Sequence, residues 1–247
     1  MNTLIKSAIG SLLILAFVNK ADAQILGVQF QGQGTALTSN QFAGVVSQAN
    51  FNVITGETGS ALALNDSAGN LTNATLTFST TDMYSTGTGN STPDKTLLSG
   101  KIGPVSSPAN FTINNLGAGT YNLIVYTVND TAAQQGTFTV GSTSYSIADQ
   151  AASDFDGTYI QGTNTDSSQA GSDVANYVLF SNISVAQGGS ITFTSTTLSP
   201  GGQGAGAFNG FQLIAVAVPE PSDVALLLGG LVVLSGLHRM RKSFEKC

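Results

Sequence analysis

Ala74-Thr75-Leu76-Thr77-Phe78-Ser79 places an apolar side chain at every second position and a hydroxyl-bearing one between them. Ile191-Thr192-Phe193-Thr194 repeats this alternation, and Tyr121-Asn122-Leu123-Ile124-Val125-Tyr126 is a longer strand-like run of apolar and aromatic residues. A period of two belongs to a β-strand that buries one of its faces. Each of these three segments is therefore predicted to be a strand.

Further strands are predicted where short apolar runs lie between turn residues. Their ranges are 25–31, 51–55, 61–65, 109–114, 135–140, 143–148, 174–183 and 207–217. Val140-Gly141-Ser142-Thr143 predicts a tight hairpin, and Leu116-Gly117-Ala118-Gly119-Thr120 predicts a turn into a long strand. No segment between 24 and 218 has a helical apolar face. The sequence therefore predicts an all-β domain, an antiparallel β-sandwich, over residues 24–217.

The predicted sandwich domain carries few charges. Lys95 and Lys101 are opposed by ten acids, which gives a formal charge of −8. Nucleic acid is not expected as a partner, because phosphate backbones are bound by clustered Lys and Arg. The one cysteine of the sequence, Cys247, lies beyond this domain. A disulfide is therefore not expected within it, and its core must hold it together.

The first 23 residues have the features of a secretory signal peptide. Lys6 precedes the apolar stretch 8–18, and Ala21-Asp22-Ala23 is a small-x-small site. Signal peptidase is expected to cut between Ala23 and Gln24, so the signal peptidase and the secretion machinery are predicted partners.

Residues 218–247 have the order of a membrane-sorting tail. Val218-Pro219-Glu220-Pro221-Ser222 precedes an uncharged run over 224–237, and Arg239, Arg241, Lys242 and Lys246 follow it. We expect one transmembrane helix over about 222–237, with the basic end in the cytoplasm and residues 24–217 on the other side. The alternative is a buried core helix, because 14 residues rise only about 21 Å.

This tail resembles the PEP-CTERM signal of exported bacterial proteins. The resemblance rests on the Pro-Glu-Pro motif, the short apolar segment and the terminal basic residues, and it covers about 30 of 247 residues. It implies recognition by exosortase, a membrane-embedded processing enzyme that resembles a cysteine transpeptidase. The chain would first be anchored in the inner membrane and then be cut near Pro219–Pro221, for transfer to the envelope or for release.

A second resemblance covers most of residues 24–217. Asn50-Phe51-Asn52, Gly119-Thr120-Tyr121-Asn122-Leu123 and Asn209-Gly210-Phe211-Gln212-Leu213 are similar to segments of galactose-binding-like jelly-roll domains in exported bacterial proteins. Phe51 stands where such sequences often have Trp. The resemblance implies a jelly-roll sandwich and glycan binding, and Gly210 is expected to let neighbouring backbone approach closely.

The sequence argues against catalysis. The one histidine, His238, lies in the cytoplasmic part of the tail, so a serine triad or a zinc site has no imidazole within residues 24–217. A glycosidase would need a carboxylate pair, and Glu57 is the one glutamate of that domain. We therefore expect a non-catalytic protein, with a glycosidase as a remote alternative.

No cofactor is predicted, although the acidic stretch 149–173 leaves open a structural calcium ion. Asp154-Phe155-Asp156-Gly157 alternates carboxylates in a turn, and Ca²⁺ prefers such oxygen ligands. The spacing lacks the rest of an EF-hand loop. The alternative interpretation is a hydrated loop between two strands.

Tyrosines in loops or at strand ends are the candidate sugar-binding residues. Tyr84, Tyr145 and Tyr159 could offer aromatic faces to a sugar ring. Two hypotheses for residues 24–217 therefore remain: a structural component of an exopolysaccharide matrix or biofilm, and a lectin-like carbohydrate-binding module.

Overall fold

Strands form where the apolar period of two occurs. The computed structural model of the protein describes residues 24–103, 108–198 and 206–216. The first strands are β1 (Ile25–Phe30), β2 (Asn52–Ile54), β3 (Thr58–Asn65), β4 (Leu71–Ser79), β5 (Asp82–Ser85), β6 (Gly100–Gly103), β7 (Ala109–Leu116) and β8 (Gly119–Tyr126). The later strands are β9 (Val128–Asn129), β10 (Gln135–Val140), β11 (Thr143–Ala151), β12 (Gln161–Gly162), β13 (Val174–Ala175), β14 (Tyr177–Val185), β15 (Gly189–Thr197) and β16 (Gly210–Val216).

The described strands build two large sheets and one small ribbon. The first sheet has the order β12-β14-β8-β16-β1-β2. The second sheet has the order β13-β11-β10-β15-β7-β4-β3, with β9 beside β11. Strands β5 and β6 pair as a separate ribbon. The predicted hairpin is confirmed, since Val140 lies opposite Thr143 and Gly141 adopts a φ of +58°.

One apolar core fills the space between the two large sheets. Phe30 of the first sheet meets Phe78 of the second at a ring-centroid distance of 5.2 Å, and Phe193 meets Phe211 at 5.6 Å. Leu123 and Val125 belong to the same buried cluster. Buried apolar side chains of both sheets therefore interdigitate, as in a β-sandwich, and the all-β prediction is confirmed.

The first and last strands of the sandwich are neighbours inside the first sheet. Strand β1 pairs antiparallel with β16, Ile25 lies opposite Ile214, and Ala215 N donates to Gln24 O at 2.9 Å. Gly210 allows this close pairing, because a Cβ at that position would lie 2.2 Å from Val28 O. Residues 24 and 216, the first and last described residues, therefore lie on the same side of the domain.

The prediction of purely antiparallel sheets was wrong at their margins. The pairs β1–β2, β9–β11, β11–β13 and β12–β14 are parallel, whereas the long central pairs are antiparallel. A parallel pair needs a long connection, and residues 31–51 provide one between β1 and β2. Strands of two or three residues are too short to show a readable period.

The sequence predicted no helix, and this was also wrong, because the described residues include three short helical elements. A five-residue helix, α1 (Pro93–Leu97), begins after Thr92, whose side chain accepts from Lys95 N. Two 3₁₀ turns, Ala152–Asp154 and Ser167–Ser172, follow later in the chain. Such short elements span about one turn, so they leave no periodic apolar face in the sequence.

Loops cover the outer side of the first sheet. Ile124 and Tyr126 of β8 point away from the main core and belong to a second apolar cluster with Leu37, Phe51 and Phe155. Strand β8 is therefore buried on both faces, which explains why apolar residues follow one another along it without alternation. Phe51 thus fills a core position, as its aromatic character suggested.

Candidate functional site

A polar network fastens residues 31–51 to the first sheet. Gln212 Nε2 donates to Val46 O at 2.6 Å and to Gln48 Oε1 at 2.8 Å, and Val45 N donates to Tyr126 Oη at 2.8 Å. Tyr126 Oη in turn donates to Gln212 Oε1. We call residues 31–51 the cover. The polar groups between the cover and the first sheet are paired with one another, which holds the cover rigidly in place.

Tyr159, a predicted sugar-binding residue, packs against the second apolar cluster. Its hydroxyl donates to Asp94 Oδ1 at 2.7 Å, and its ring packs 5.5 Å from that of Tyr126 and 5.5 Å from that of Phe155. Burial raises the pKa of the Tyr159 hydroxyl far above its usual range. Tyr159 is half-buried, and its ring also lies 6.2 Å from that of Tyr177.

Tyr84 and Tyr145 lie in other environments. Tyr84 is on the β5–β6 ribbon, where its hydroxyl donates to Asp82 Oδ1 at 3.1 Å. Tyr145 is within β11 and packs 5.1 Å from the ring of Phe180 at the margin of the main core. Tyr145 and Tyr159 therefore pack into different apolar clusters, so the structure does not assemble the three tyrosines into one platform.

Asp154 and Asp156 are exposed and engaged in local turns. Asp154 Oδ1 accepts from Ser153 Oγ at 3.1 Å, and Asp156 Oδ1 accepts from Thr158 N at 2.8 Å. The backbone hydrogen bond from Thr158 lowers the pKa of Asp156. Within residues 24–103, 108–198 and 206–216, no group of three or more His, Cys, Asp or Glu side chains is arranged to hold a metal ion. Glu57 is exposed, and its backbone oxygen accepts from Thr80 N at 2.9 Å.

A buried charged cluster was missed by the sequence analysis. Lys101 on β6, Asn129 on β9 and Asp149 on β11 are each at most 2% exposed. Lys101 Nζ donates to Asn129 Oδ1 and, at 2.6 Å, to Asp130 Oδ1. Asn129 Nδ2 donates to Asp149 Oδ2 at 3.3 Å. The one sequence signal was a lysine between Gly100 and Ile102 in a domain that has only two lysines.

Asp149 is the most perturbed carboxyl group of this cluster. Burial raises its pKa from 3.8 to about 7, although hydrogen bonds from Thr127 and Asn129 and the charge of Lys101 oppose the shift. Thr127 Oγ1 donates to Asp149 Oδ1 at 2.6 Å. A buried carboxyl group with such a pKa can accept or release a proton near neutral pH.

A polar cleft of about 300 Å³ lies at the end of the sandwich where residue 24 enters. Gln24, Asp66, Asn73, Asn115 and Gln187 line it, together with the edge of Leu71. Leu71 is 73% exposed. The cleft thus combines amide and carboxylate groups with one small apolar surface.

The outer face of the second sheet carries rows of hydroxyl and amide groups. One row contains Thr77, Thr112 and Thr192, which lie opposite one another on β4, β7 and β15. A second row contains Asn110, Thr194, Thr139 and Ser144. We call these two rows the hydroxyl face. The described strands β3, β4, β7, β10 and β15 carry no charged residue.

Most predicted sorting residues lie outside the described part of the chain. These are Ala21 and Ala23 of the leader, Val218, Pro219, Glu220, Pro221 and Ser222 of the motif, and Arg239, Arg241, Lys242 and Lys246 of the basic end. The helix expected over about 222–237 lies there too. Among the residues that the structure describes, no helix is long and apolar enough to cross a membrane. Gln24 is described and exposed.

Comparison of the chain with protein-family models, with curated proteins and with solved structures gives no match. The two resemblances of the sequence analysis therefore stay predictions.

Proposed function

We propose that the protein is an exported, non-catalytic component of the cell surface or of an extracellular exopolysaccharide matrix. Its tail is read by exosortase, and its domain is a jelly roll of the galactose-binding-like type. The observation that carries the matrix role is the hydroxyl face, a broad surface of uncharged hydrogen-bonding groups.

The hydroxyl face suits a polysaccharide ligand for a chemical reason. Neighbouring strands lie about 4.8 Å apart, and residues of one face recur about every 6.8 Å along a strand, so the rows form a regular grid. Thr112 Oγ1 and Thr192 Oγ1 are 3.0 Å apart, and Thr194 Oγ1 donates to Asn110 Oδ1 at 2.7 Å. Hydroxyls and amides both donate and accept, so they can exchange hydrogen bonds with sugar hydroxyls at many points. Such contacts are individually weak and gain strength by repetition.

The position of the domain's ends supports the sorting proposal. A leader that precedes Gln24 and a tail that follows residue 216 would both join the sandwich at one side, because Ala215 pairs with Gln24. A protein anchored there would keep its opposite end away from the bilayer.

The topology supports the jelly-roll assignment, since consecutive strands lie in alternating sheets. The chain passes from β7 in the second sheet to β8 in the first, and from β14 in the first sheet to β15 in the second and back to β16 in the first.

Cosedimentation tests the matrix role. The protein released by the producing cells should pellet with exopolysaccharide extracted from those cells and should stay in the supernatant with dextran. Binding that is weak, reversible and without a defined stoichiometry is the expected result. A protein that never pellets with its own matrix polymer would contradict the proposal.

Replacement of Pro219, Glu220 and Pro221 by alanine tests the sorting role. Export should proceed, because the leader is unchanged, whereas the protein should accumulate in the inner membrane. The matched control Val216→Ala lies before the motif and should be processed normally. Normal release of the triple variant, measured by cell fractionation, would argue against exosortase recognition.

The lectin-like hypothesis is the second candidate, and the polar cleft favours it. A volume of about 300 Å³ matches the lower end of small-ligand sites. Asp66 and Asn73 could bind sugar hydroxyls while Leu71 contacts an apolar ring face. A glycan array with the exported protein should show selective, saturable binding that is lost in Asn73→Leu. A blank array would favour the matrix role alone.

A further inference from the structure

We propose that Lys101 and Asn129 become joined by an intramolecular amide bond between Lys101 Nζ and Asn129 Cγ, formed by the folded chain itself with Asp149 as the proton carrier. The bond would link β6 to β9 and would release one molecule of ammonia.

The nucleophile and the electrophile are already in contact. Lys101 is 2% exposed, Asn129 is 0% exposed, and Lys101 Nζ donates to the side-chain oxygen of Asn129. An amine attacks a carbonyl carbon in its neutral form, so the Lys101 ammonium group must first give up a proton. Enclosure also holds the amine beside a single carboxamide group and keeps water away.

The carbonyl group of Asn129 is polarised by a second donor. Asp130 N donates to Asn129 Oδ1 at 3.0 Å. A backbone N–H directed at this oxygen stabilises the negative charge that develops there when an amine attacks the carbon. Asn129 Nδ2, the leaving group, points to the opposite side, where it donates to Gln134 Oε1 at 2.8 Å and to Asp149 Oδ2 at 3.3 Å.

Asp149 is placed to carry the protons. Its Oδ2 faces the leaving amide nitrogen, and its Oδ1 is held by the Thr127 hydroxyl at 2.6 Å. Asp149 is 0% exposed. Its pKa of about 7 allows it to hold a proton in this enclosed space near neutral pH.

The reaction moves protons through Asp149 and releases the side-chain nitrogen of Asn129 as ammonia. Asp149 takes one proton from the Lys101 ammonium group, and the neutral amine forms a bond to Asn129 Cγ. Asp149 then gives its proton to Nδ2 and takes another from the attacking nitrogen. The Cγ–Nδ2 bond breaks with its electron pair on nitrogen, and ammonia leaves. Asp149 ends as a neutral acid beside the new amide, and no oxidant, metal or cofactor is consumed.

Asp130 is the competing partner of Lys101. Its carboxylate lies 2.6 Å from Lys101 Nζ, but its side chain is 56% exposed, whereas Asn129 is enclosed. An amide to Asp130 would release water instead of ammonia. The two products can therefore be distinguished by mass.

A cross-link at this place would serve a domain that has no cysteine within residues 24–217. Lys101 and Asn129 are 28 positions apart in sequence. Closing this loop covalently would restrict the unfolded chain in the way that a disulfide does, and an amide does not depend on redox conditions.

Peptide mapping of the full-length chain by mass spectrometry tests the proposal. The expected result is one branched peptide that contains Lys101 and Asn129 and lacks the mass of one ammonia molecule. For a chain cut after Ala23 the intact mass alone would be ambiguous, because an N-terminal Gln24 can also lose ammonia by cyclisation. Separate, unmodified Lys101 and Asn129 peptides would overturn the proposal, and a branched peptide that lacks water would assign the bond to a carboxylate instead.

Variants separate the roles of the three groups. Lys101→Met, Asn129→Leu and Asp149→Asn should each abolish the branched peptide, whereas Lys95→Met, which alters the other lysine of the domain, should retain it. Asp149→Asn preserves size and hydrogen-bonding capacity, so circular dichroism should show its fold intact while the peptides stay separate. Full cross-linking in folded Asp149→Asn would overturn the assigned role of Asp149.

Discussion

The ring of Phe30 on β1 meets the ring of Phe111 on β7 edge to face, with centroids 5.7 Å apart. This contact joins the two large sheets, because β1 and β7 belong to different sheets. Phe111 also stacks on Phe193 at 4.9 Å and meets Phe208 at 4.4 Å. The centre of the core is therefore an aromatic cluster whose members support one another.

Phe111→Ala should lower the free energy of unfolding by about 3–5 kcal/mol, because it leaves a cavity at the centre of this cluster. Urea titration followed by circular dichroism measures the change. Phe42→Ala is the matched control, since Phe42 is 62% exposed and its loss should change stability by less than about 0.5 kcal/mol. Equal effects of the two substitutions would contradict the position of Phe111 in the core.

Gly210→Ala should destabilise the domain by about 1–3 kcal/mol, because the added methyl group would overlap Val28 O on the neighbouring strand. Gly141→Ala offers a comparison of a different kind. That residue has open space around it, and its positive φ is the sole source of strain there. Thermal unfolding should rank Gly210→Ala as the more damaging change, and the reverse order would argue against the close β1–β16 approach.

Tyr126→Phe should weaken the attachment of residues 31–51. The variant removes the hydroxyl that accepts from Val45 N and donates to Gln212 Oε1, and it leaves the Val45 N–H without this acceptor. The expected cost is about 1–3 kcal/mol. Hydrogen exchange should speed up in residues 42–48. Tyr177→Phe, whose hydroxyl bond to Gln161 is exposed and 3.3 Å long, should leave that exchange unchanged.

Because the pKa of Asp149 is raised in the folded chain, the free energy of unfolding should fall as the pH rises from about 4 to about 7. The native chain holds a proton on Asp149 over this interval, since burial raises its pKa from 3.8 to about 7, whereas the unfolded chain has released it. The state that binds more protons is favoured at lower pH, so the free energy of unfolding declines through this window and levels off above it.

Asp149→Asn should remove this decline, because asparagine is neutral at every pH. Urea titrations at several pH values measure the slope. Asp166→Asn serves as the control, since Asp166 is exposed and its pKa is lowered by the hydrogen bond from the Ser168 side chain. Because the pKa of Asp166 is lowered from 3.8, this residue affects the free energy of unfolding only below about pH 4, where stability is lost as the pH drops. If the free energy of unfolding of Asp149→Asn still declined between about pH 4 and about pH 7, the decline would have to come from other groups.

Thr112→Val combined with Thr192→Val should reduce cosedimentation with exopolysaccharide several-fold. The double variant removes two hydroxyls from the hydroxyl face and keeps the β-branched shape that suits a strand. Stability should therefore stay within about 0.5 kcal/mol of the original chain. Thr55→Val, at an exposed loop position outside this face, should bind as before. Unchanged binding of the double variant would argue against the hydroxyl face as the binding surface.

The strands of the sandwich could be predicted because their signal is local. The run 74–79 lies within β4, and the range 135–140 matches β10 at both ends. The ribbon of β5 and β6, and the short strands β9 and β12, gave no periodic signal because each has four residues or fewer. The cover formed by residues 31–51 was not foreseen either, since its attachment depends on Tyr126 and Gln212, which lie far away in sequence.

By itself the sequence determined that runs such as 74–79 and 191–194 form strands with one apolar and one hydroxyl-bearing face, since alternation is a property of neighbouring residues. The sorting proposal depends on the sequence alone, because the predicted leader and tail lie outside the described residues. The tertiary structure alone decided that Lys101, Asn129 and Asp149 share one enclosed space. Three separate strands supply these groups, and their contact arises from strand pairing and burial, which fix the pKa of Asp149 and leave no periodic trace along the chain.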